Sequence, residues 1–529
     1  MELTPTLPMA LALLIIVLSS YVLSRCGRHK ALNLPPGPRG WPVFGSLGAL
    51  AGALPPHRAL AAVAARHGPL MHLRLGSYDV VVASSAETAR LVLKTHDLAF
   101  ADRPATAAGE HAAYGYRGIV HTPYGAYWRM ARRLCATELF SARRVGSYEH
   151  IRAQELRALV RGLFQCAGRA VPVREHLADA TLRNVLRMAV GEKWSGCYGS
   201  ADGEAFRRTL DEAFVVTGAV SNVGEWVPWL GWLDVQGCVR SMKRLSKVYD
   251  QFLERILNEH DKERRRRREV AAATRDAAAA IDLVDVLLQL ADDENEMSRT
   301  SSSEARLTRN GVKAFVQDII AGGTESSAVT MEWAMSELLR RPDAAAAATD
   351  ELDRVVGRGR WVEENDLAHL PYIDAVVKET MRLHPVGPLL VPHMAREHTV
   401  VAGYDVPAGA RVLVNVWAIA RDPVSWPDRP DEFLPERLSG SAVDVRGQHF
   451  ELLPFGAGRR MCPAYGLAMK VVSAGLANLL HGFAWRLPDG VSPEDVSMEE
   501  LVGLSTRRKV PLIAIPEPRL PVHLYTAED

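Results

Sequence analysis

The sequence predicts a mainly α fold with a small β-rich part, because long amphipathic runs dominate the chain. Three of these runs have the apolar periodicity of helices: His150–Gln165, Phe315–Arg340 and Pro371–Leu383. Two shorter runs edged by Gly and Pro predict strands: Leu70–Ala83 and Val400–Val416. A length of 529 residues would suit several domains. No internal repeat is apparent, however, so we expect residues 43–529 to form one large domain.

The composition is that of a globular chain without a general affinity for nucleic acid. Hydrophobic residues make up 48% and charged residues 24%, which is ample material for a core. Lys and Arg number 63 against 62 Asp and Glu, and this balance argues against a nucleic-acid partner. The six cysteines form no C-x-x-C pair, so neither a disulfide scaffold nor a typical zinc site is expected. The basic run Lys262–Arg268 is read as a solvated helix face or a mobile connection.

The amino terminus has the pattern of a membrane anchor. The run Leu7–Leu23 carries no charge and lies at the short end of the roughly 17–25 residues that span a bilayer. Glu2 precedes it, whereas Arg25 and further basic residues follow, so the rest of the chain should face the cytosol. A cleaved signal peptide would carry its positive charge before the apolar run. We therefore expect residues 1–24 to be a single transmembrane helix in the endoplasmic reticulum membrane.

Residues 25–42 are basic and then rich in proline. The segment Leu34–Pro42 contains four prolines, which restrict φ and withhold amide donors. Such a segment is stiff and extended. We expect it to be a hinge between the anchor and the large domain.

The strongest local signal is the loop Phe455–Ala464, which contains Cys462. Gly456 and Gly458 permit a tight turn and a close backbone approach. The run Tyr465–Leu480 that follows is helical in pattern, so Cys462 should lie near a helix N-terminus, where an anion is favoured. These features suit a thiolate that binds a metal, with exposed amides tuning the sulfur. An inert buried cysteine is the alternative.

This loop resembles the haem-binding signature F-x-x-G-x-R-x-C of the cytochrome P-450 superfamily. The matching residues are Phe455, Gly458, Arg460 and Cys462, and Ala464 stands where the family usually has Gly. The resemblance implies the cytochrome P-450 fold and a bound haem b whose iron takes Cys462 as its axial ligand. It also implies that Phe455, Gly458 and Arg460 contact the haem.

Two further motifs resemble those with which the family builds a buried charge network. Glu379 and Arg382 lie at i and i+3, on one face of a predicted helix. Arg437 follows in Pro435-Glu-Arg-Leu, ahead of the cysteine loop. Taken alone, such a pair is common surface decoration; the resemblance implies that Glu379, Arg382 and Arg437 form a structural network.

The predicted helix Gln317–Arg340 is interrupted by adjacent glycines, Gly322 and Gly323, which weaken a helix. A local kink there would make room for dioxygen. Glu325 and Ser326 offer a carboxylate that can exchange protons with water and a hydroxyl that can orient a proton. The segment resembles the family's A/G-G-x-D/E-T-T/S motif, with Ser326 in place of the usual Thr. The resemblance implies catalytic roles for Glu325 and Ser326; a polar glycine kink is the alternative.

Trp128 and Arg132 form W-x-x-x-R, which in the family meets a haem propionate. His393, in Val391-Pro-His, is a second propionate candidate by the same resemblance. A lone Trp/Arg pair is more often simple packing, so this assignment depends on the cysteine loop.

Arg129, Arg133 and Arg459 would add to a basic face of the domain. The resemblance implies an acidic partner, NADPH–cytochrome P-450 reductase, that docks there through complementary charge and delivers electrons from NADPH. Ordinary surface arginines are the alternative. The remaining implied partners are O2, a small lipophilic substrate and membrane lipid.

The resemblance extends from the proline-rich segment to Leu512 and is closest to the plant microsomal branch with flavonoid 3′-hydroxylase-like enzymes. Some members of that subgroup oxidise terpenoids. The expected substrate-facing segments are Arg103–Val120, Phe315–Ser327, Val386–Val391 and Leu501–Ser505. Because Val386–Val391 has no polar side chain, it favours an isoprenoid chain over a phenolic ring. A tertiary terpene alcohol, with possible C–C cleavage to a homoterpene, is therefore preferred.

Four alternatives remain open at this point. Within the subgroup, the protein could hydroxylate flavonoids or steroids. The family's isomerases and dehydratases rearrange hydroperoxides without activating O2, but they lack the pair seen here at Glu325 and Ser326. A non-enzymatic haem protein of the membrane is the most distant reading.

Overall fold

The computed structural model describes residues 32–50, 52–191, 201–218, 222–274, 282–297 and 306–527. The expected anchor, residues 1–24, and the first part of the expected hinge, residues 25–31, lie outside these ranges. Among the described residues, no helix combines the length and the apolar character needed to cross a membrane.

Helices make up most of the described chain. In chain order they are α1 (Pro56–His67), α2 (Ala86–Arg90), α3 (Ala107–His111), α4 (Ala126–Leu134), α5 (Ala142–Ser147), α6 (Glu149–Gln165), α7 (Val173–Val190), α8 (Ala201–Thr217), α9 (Val223–Trp226), α10 (Cys238–Thr274), α11 (Leu283–Met297), α12 (Arg309–Arg340), α13 (Pro342–Val355), α14 (Pro371–Leu383), α15 (Val416–Ile419), α16 (Tyr465–Gly482) and α17 (Val522–Thr526). Short π-helical turns extend α2 and α4, at Leu91–Thr95 and Cys135–Leu139.

The strands form small sheets. In chain order they are β1 (Leu70–Leu75), β2 (Tyr78–Ala83), β3 (Val171–Pro172), β4 (His393–Met394), β5 (Thr399–Val401), β6 (Tyr404–Val406), β7 (Arg411–Val414), β8 (Phe483–Arg486), β9 (Glu500–Val502), β10 (Thr506–Arg508) and β11 (Ile513–Pro518). The largest sheet has the order β1-β2-β7-β4, and smaller sheets join β3-β11-β8, β10-β9 and β5-β6.

The four-stranded sheet brings distant parts of the chain together. An antiparallel hairpin joins β1 to β2, with Leu75 opposite Tyr78. The parallel pair β2–β7 then sets Val80 opposite Arg411, and β4 adds on the far side with His393 opposite Val412. Because side chains alternate across a strand, this register determines which side of the sheet each of these residues occupies.

The long helix α12 runs through the interior. It packs most extensively against α7 and also against α14 and α16. Thr308 caps its start by accepting from the Gly311 N–H. Most of its side chains are buried on all sides, which is the pattern of a core helix rather than a surface helix. The helices α7, α14 and α16 therefore all pack against α12.

A charge network ties α14 to the segment that precedes the cysteine loop. Glu379 and Arg382 are both fully buried, with Nε–Oε2 and Nη2–Oε1 distances of 2.7 and 2.8 Å. Arg437 Nε donates to Glu379 Oε1 at 3.1 Å, and the Leu434 N–H donates to the same oxygen at 2.9 Å. The remaining Arg382 nitrogen donates to backbone carbonyls, including Ala420 O at 2.6 Å. The two arginines thus cross-link an otherwise irregular stretch to α14.

The expected helix runs agree closely with the observed helices, but one feature differs. The structure has α12 unbroken from Arg309 to Arg340, so the interruption predicted at Gly322 and Gly323 is wrong. Ser326 Oγ donates to Gly322 O at 2.6 Å, and a Cβ on Gly323 would lie 2.8 Å from Val185 Cγ2 of α7, so Gly323 packs closely against that helix. Tertiary packing therefore offsets the low helix propensity of two adjacent glycines.

The proline-rich residues within the described range lie against the sheet. The His72 N–H of β1 donates to Pro36 O at 3.0 Å. A Cβ on Gly37 would come within 1.8 Å of His72 O, so only glycine allows this approach. The later part of the expected hinge is therefore attached to the large domain.

We predict that Glu379→Ala destabilises the fold by roughly 3–5 kcal/mol, because it leaves the charge of Arg382 buried without its partner. The urea midpoint, followed by circular dichroism, measures the change. Glu499→Ala serves as control, since its pair with Lys509 is exposed and such pairs contribute only about 0–1 kcal/mol. Equal midpoints for the two variants would contradict a stabilising role for the network.

Candidate functional site

The cysteine loop is a tight turn that presents Cys462 just before α16. Gly456 and Gly458 adopt φ values of 69° and 68°, in the left-handed region that favours glycine. A Cβ on Gly458 would lie 2.0 Å from Leu93 O, so the turn also needs a glycine for close approach. The Cys462 N–H donates to Phe455 O at 2.9 Å and closes the loop.

Two opposing effects act on the Cys462 thiol. Burial raises its pKa, whereas a hydrogen bond from the Ala464 N–H and the nearby Arg132 guanidinium lower it. The start of α16 adds a partial positive charge. Burial is the larger effect, so the pKa of the free thiol stays raised, while the amide and the cation are placed to stabilise a thiolate that binds a metal. This is the setting that a thiolate ligand needs.

A cavity of about 530 Å³ opens beside Cys462. All four segments expected to face the substrate contribute to its wall. The turn after α14 contributes every residue from Val386 to Val391, and the β9–β10 turn contributes Val502 to Leu504. These segments are far apart in sequence, and the packing of the sheet and helices around α12 brings them together.

Cations gather at one side of the cavity. Arg103, Arg132 and Arg460 all line it, together with His121 and His393. Burial and Arg132 lower the pKa of Arg460 to about 10 despite the opposing Asp102. Burial followed by the charge of Arg103 lowers the pKa of His121 to about 4 and that of His393 to about 3. The cluster is therefore short of negative charge.

The arginines are held in place by backbone carbonyls. Arg460 donates to Ala101 O at 2.7 Å and to Thr122 O at 2.8 Å. Arg132 Nη1 donates to Met461 O at 2.6 Å, next to the cysteine. Arg103 Nη1 donates in the same way to the carbonyls of Val391 and Pro392, at 2.6 and 2.8 Å. Neutral carbonyls orient these side chains but do not neutralise them.

Two buried donors in this cluster have no partner among the described residues: Trp128 Nε1 and Arg460 Nη1. The Arg460 guanidinium lies 4.5 Å from the centroid of the Trp128 ring. Unpaired buried donors cost free energy, and a charged one costs more. An acceptor with negative charge, such as a carboxylate, would satisfy both and offset the repulsion among the arginines.

His393 could also donate to a carboxylate, but only after it gains a second proton. Its Nδ1 donates to Phe100 O at 2.8 Å, so in the neutral ring Nε2 carries a lone pair. A nearby carboxylate would favour a second proton on the ring and turn Nε2 into a donor. The structure thus brings Trp128, Arg132, His393 and Arg460 to one cavity.

Glu325 and Ser326 are neighbours on α12 but face different surroundings. Ser326 lines the cavity, whereas Glu325 is buried outside the lining. Glu325 Oε1 accepts from Ser505 Oγ at 3.1 Å and from Arg507 Nη1 at 3.2 Å. Burial raises the pKa of Asp211, and Glu325 adds to this effect. Glu325 therefore belongs to a buried polar group behind the cavity wall, together with Ser505 and Arg507.

Two of the three arginines expected to form a basic docking face, Arg129, Arg133 and Arg459, are exposed without an ion pair in the part of the chain that the structure describes. Arg129 and Arg133 are exposed on α4. Arg459 is also exposed but pairs with Asp97, with an Nε–Oδ2 distance of 3.1 Å. Two of the three arginines are therefore free of an ion pair among the described residues.

Sequence reasoning missed several groups at the cavity or linked to it. They are His121 in the cavity wall, and Asp211 and Arg507 beside Glu325. Arg103 and Asp318 lie in segments that were expected to face the substrate, but neither residue was singled out. Their local sequence carries no motif that would single them out. The arginine-proline pair at Arg103 is a turn signal at most.

The fold, the shielded cysteine and the cationic cluster define the class of haem-thiolate enzymes. Residues 35–513 match the protein family described as Cytochrome P450, and the chain belongs to this family. Haem b is therefore the cofactor, with a cysteine thiolate on its iron, and its electrons come from NADPH through a reductase. The chain is a cytochrome P450 monooxygenase.

Relatives with known names cover almost the whole chain. It is 77% identical to trimethyltridecatetraene synthase of Zea mays, over 98% of this chain and 94% of that protein. It is 74% identical to dimethylnonatriene synthase of Zea mays, over 100% of both. A flavonoid 3′-monooxygenase of Oryza sativa subsp. japonica is 42% identical, over 93% of this chain and 92% of that protein.

A solved structure shares the fold. A zebra fish cytochrome P450 with abiraterone superimposes with a TM-score of 0.72 at 25% identity. The match covers 88% of this chain and 99% of the zebra fish chain. The mainly helical architecture with small sheets is thus that of the cytochrome P450 fold.

The residues present fit a haem group. Cys462 would bind the iron, and the two carboxylates of the haem would pair with Arg132, Arg460 and Trp128 Nε1, which otherwise lack an anionic partner. The apolar residues on both sides of the cavity would cover the ring faces. The unmatched positive charge is the observation that fits the cofactor best.

We predict that Cys462→Ala abolishes the long-wavelength Soret band of the reduced carbon monoxide complex, because that band requires a thiolate on the iron. Absorbance difference spectra of microsomes measure it. Cys166→Ala is the matched control, since Cys166 is another free cysteine and does not line the cavity. Retention of the band in Cys462→Ala would refute the ligand assignment.

We also predict that Ser326→Ala uncouples NADPH use from product formation. A positioned proton donor contributes about 10²–10⁴-fold to rate, and water can replace part of this, so product per NADPH should fall by roughly tenfold. Ser326→Thr keeps the hydroxyl and should keep the coupling. The ratio of product to NADPH consumed measures the effect; an unchanged ratio in Ser326→Ala would mean that another group handles the proton.

Proposed function

We propose that the protein oxidises an acyclic tertiary terpene alcohol and cleaves a C–C bond to release a homoterpene. The observation that carries this proposal is the identity of 77% and 74%, over nearly the full length, to two synthases named for homoterpene products.

The cavity wall supports an isoprenoid substrate. The segment Val386–Val391 lines the cavity without a polar side chain. Phe315, Ile319 and Leu504 extend the apolar surface. A flexible hydrocarbon chain is recognised by apolar volume and shape, with few directional contacts.

The residues of the chain supply positioning and proton handling. The haem, when bound, supplies the activation of O2. Ser326 holds a hydroxyl in the cavity wall, and Gly322 leaves open space beside it, since an added Cβ there would meet nothing within 4 Å. Glu325, which is bonded to Ser505 and Arg507 behind this wall, is the group that we infer resupplies protons. The apolar wall excludes water from the remaining space.

We further propose where the enzyme works and what reduces it. The uncharged run Leu7–Leu23 supports a single-pass anchor in the endoplasmic reticulum membrane, with the catalytic domain in the cytosol. Residues 25–42 would then form its hinge, and residues 43–529 the catalytic domain. The exposed Arg129 and Arg133 support docking of an acidic NADPH–cytochrome P-450 reductase.

Flavonoid 3′-hydroxylation is the second candidate, and the identity of 42% to a flavonoid 3′-monooxygenase favours it. A phenolic ring needs directional polar partners. The lack of polar side chains in Val386–Val391 counts against such a substrate.

The test is an assay in yeast microsomes with the full chain and a plant reductase. We expect sesquiterpene or diterpene tertiary alcohols to give dimethylnonatriene or trimethyltridecatetraene, detected by gas chromatography with mass spectrometry. Cys462→Ala microsomes are the control for background oxidation. Hydroxylated flavonoids as the main product, with no homoterpene formed, would replace the proposal by the second candidate.

A further inference from the structure

Asp318 places a carboxylate in the cavity wall. It lies on α12, and Oδ2 accepts from the N–H groups of Ile119 and Val120 at 2.7 and 3.3 Å. Oδ1 accepts no hydrogen bond from the described residues. The side chain is partly accessible, and it lines the cavity. One carboxylate oxygen is therefore used by the protein and the other is available to a ligand.

Other acids near the cavity are already neutralised. Glu225 also lines the cavity, but its Oε1 pairs with Arg411 Nη1 at 3.2 Å. Glu325 pairs with Arg507 and lies outside the lining. Asp318 has no cationic partner among the described residues. Burial raises the pKa of Asp318 to about 6, although the two backbone N–H groups oppose the rise.

The neighbours of Asp318 suit a hydrocarbon that carries a single hydroxyl. Phe315 and Ile319 line the cavity from the same helix, and Ile119 and Val120 line it from the facing loop. Within this apolar surface an oxygen without a donor is costly. A ligand hydroxyl would satisfy it, whereas a pure hydrocarbon would not.

The spacing between Asp318 and Gly322 on α12 links a hydrogen bond at Asp318 to the part of the ligand that lies at Gly322. Asp318 and Gly322 lie four residues apart, so they occupy one face about 6 Å apart along the axis. Ser326 lies a further four residues along the same face. A hydroxyl held at Asp318 would place the adjacent carbons beside the open space at Gly322.

We propose that Asp318 Oδ1 accepts a hydrogen bond from the hydroxyl of the tertiary terpene alcohol and so selects which carbon lies beside Gly322. This inference rests on the proposed function, because it names the contact that would recognise that substrate. It assigns to Asp318 a binding role that adds to its hold on the Ile119 and Val120 amides.

The competing reading is that Asp318 only holds the loop. A Cβ on Gly118 would come 2.2 Å from Asp318 Oδ2, so the loop approaches the carboxylate closely. Gln317 provides a matched control, because its Nε2 donates to Ala112 O of the same region at 2.6 Å while Gln317 does not line the cavity. Gln317→Ala loosens the loop and leaves the carboxylate in place.

The experiment compares two ligands, the tertiary alcohol nerolidol and its deoxy hydrocarbon with H in place of OH. Spectral titration of microsomal enzyme gives the Kd of each. In the wild-type enzyme we expect a preference for the alcohol of roughly tenfold or more, as a hydrogen bond to a charged group provides. Asp318→Ala should reduce this preference to about onefold, and Gln317→Ala should keep it.

Asp318→Asn retains an acceptor oxygen and should restore part of the preference for the alcohol. If the reduced carbon monoxide spectrum shows that Asp318→Ala does not fold, Asp318→Asn replaces it as the test variant. An unchanged preference in Asp318→Ala overturns the inference. So does equal weakening of both ligands, which would mean that Asp318 only holds the loop. Homoterpene formation by a wild-type enzyme that binds both ligands equally refutes this inference alone. Absence of homoterpene from every terpene alcohol defeats the proposed function itself.

Discussion

The position of the Cys462 sulfur beside a cluster of buried cations is the constraint on which the rest of the structure depends. The loop reaches this position only because Gly458 lets the backbone approach Leu93, and Arg132 joins the loop to α4 through Met461 O. Cys462 would bind the haem iron, and the arginines would pair with the haem carboxylates. The segments of α12 and the sheet loops that line the cavity form the wall that a substrate would meet.

The cationic cluster also links cofactor binding to stability. Arg103 and Trp128 are buried, Arg460 lines the same cavity, and the donors at Trp128 Nε1 and Arg460 Nη1 have no partner among the described residues. A protein with such a surplus of buried positive charge is strained until an anion arrives. Haem carboxylates that paired with these donors in the folded chain would therefore stabilise it by mass action.

The helix α12 presents different residues in two directions. Ser326 and Asp318 line the cavity, while Glu325 is buried outside the lining and bonds Ser505 and Arg507. Adjacent residues on a helix point about 100° apart, so neighbouring side chains can serve a cavity and a proton route at once. Gly322 and Gly323 have no side chains, so they leave space on the helix surface between Asp318 and Ser326. The helix itself stays unbroken at these glycines.

The sequence by itself determined the local features, such as the helix Pro371–Leu383 and the glycine turn before Cys462, because these follow from backbone geometry and from residue types a few positions apart. The candidates Glu325, Ser326 and Glu379 came from the resemblance of their motifs to those of the family. Only the tertiary structure decided that α12 stays unbroken, that Glu325 lies outside the cavity lining, and that the carboxylate of Asp318 is held there by the amides of Ile119 and Val120. These outcomes depend on contacts between segments far apart in sequence, which local periodicity does not encode.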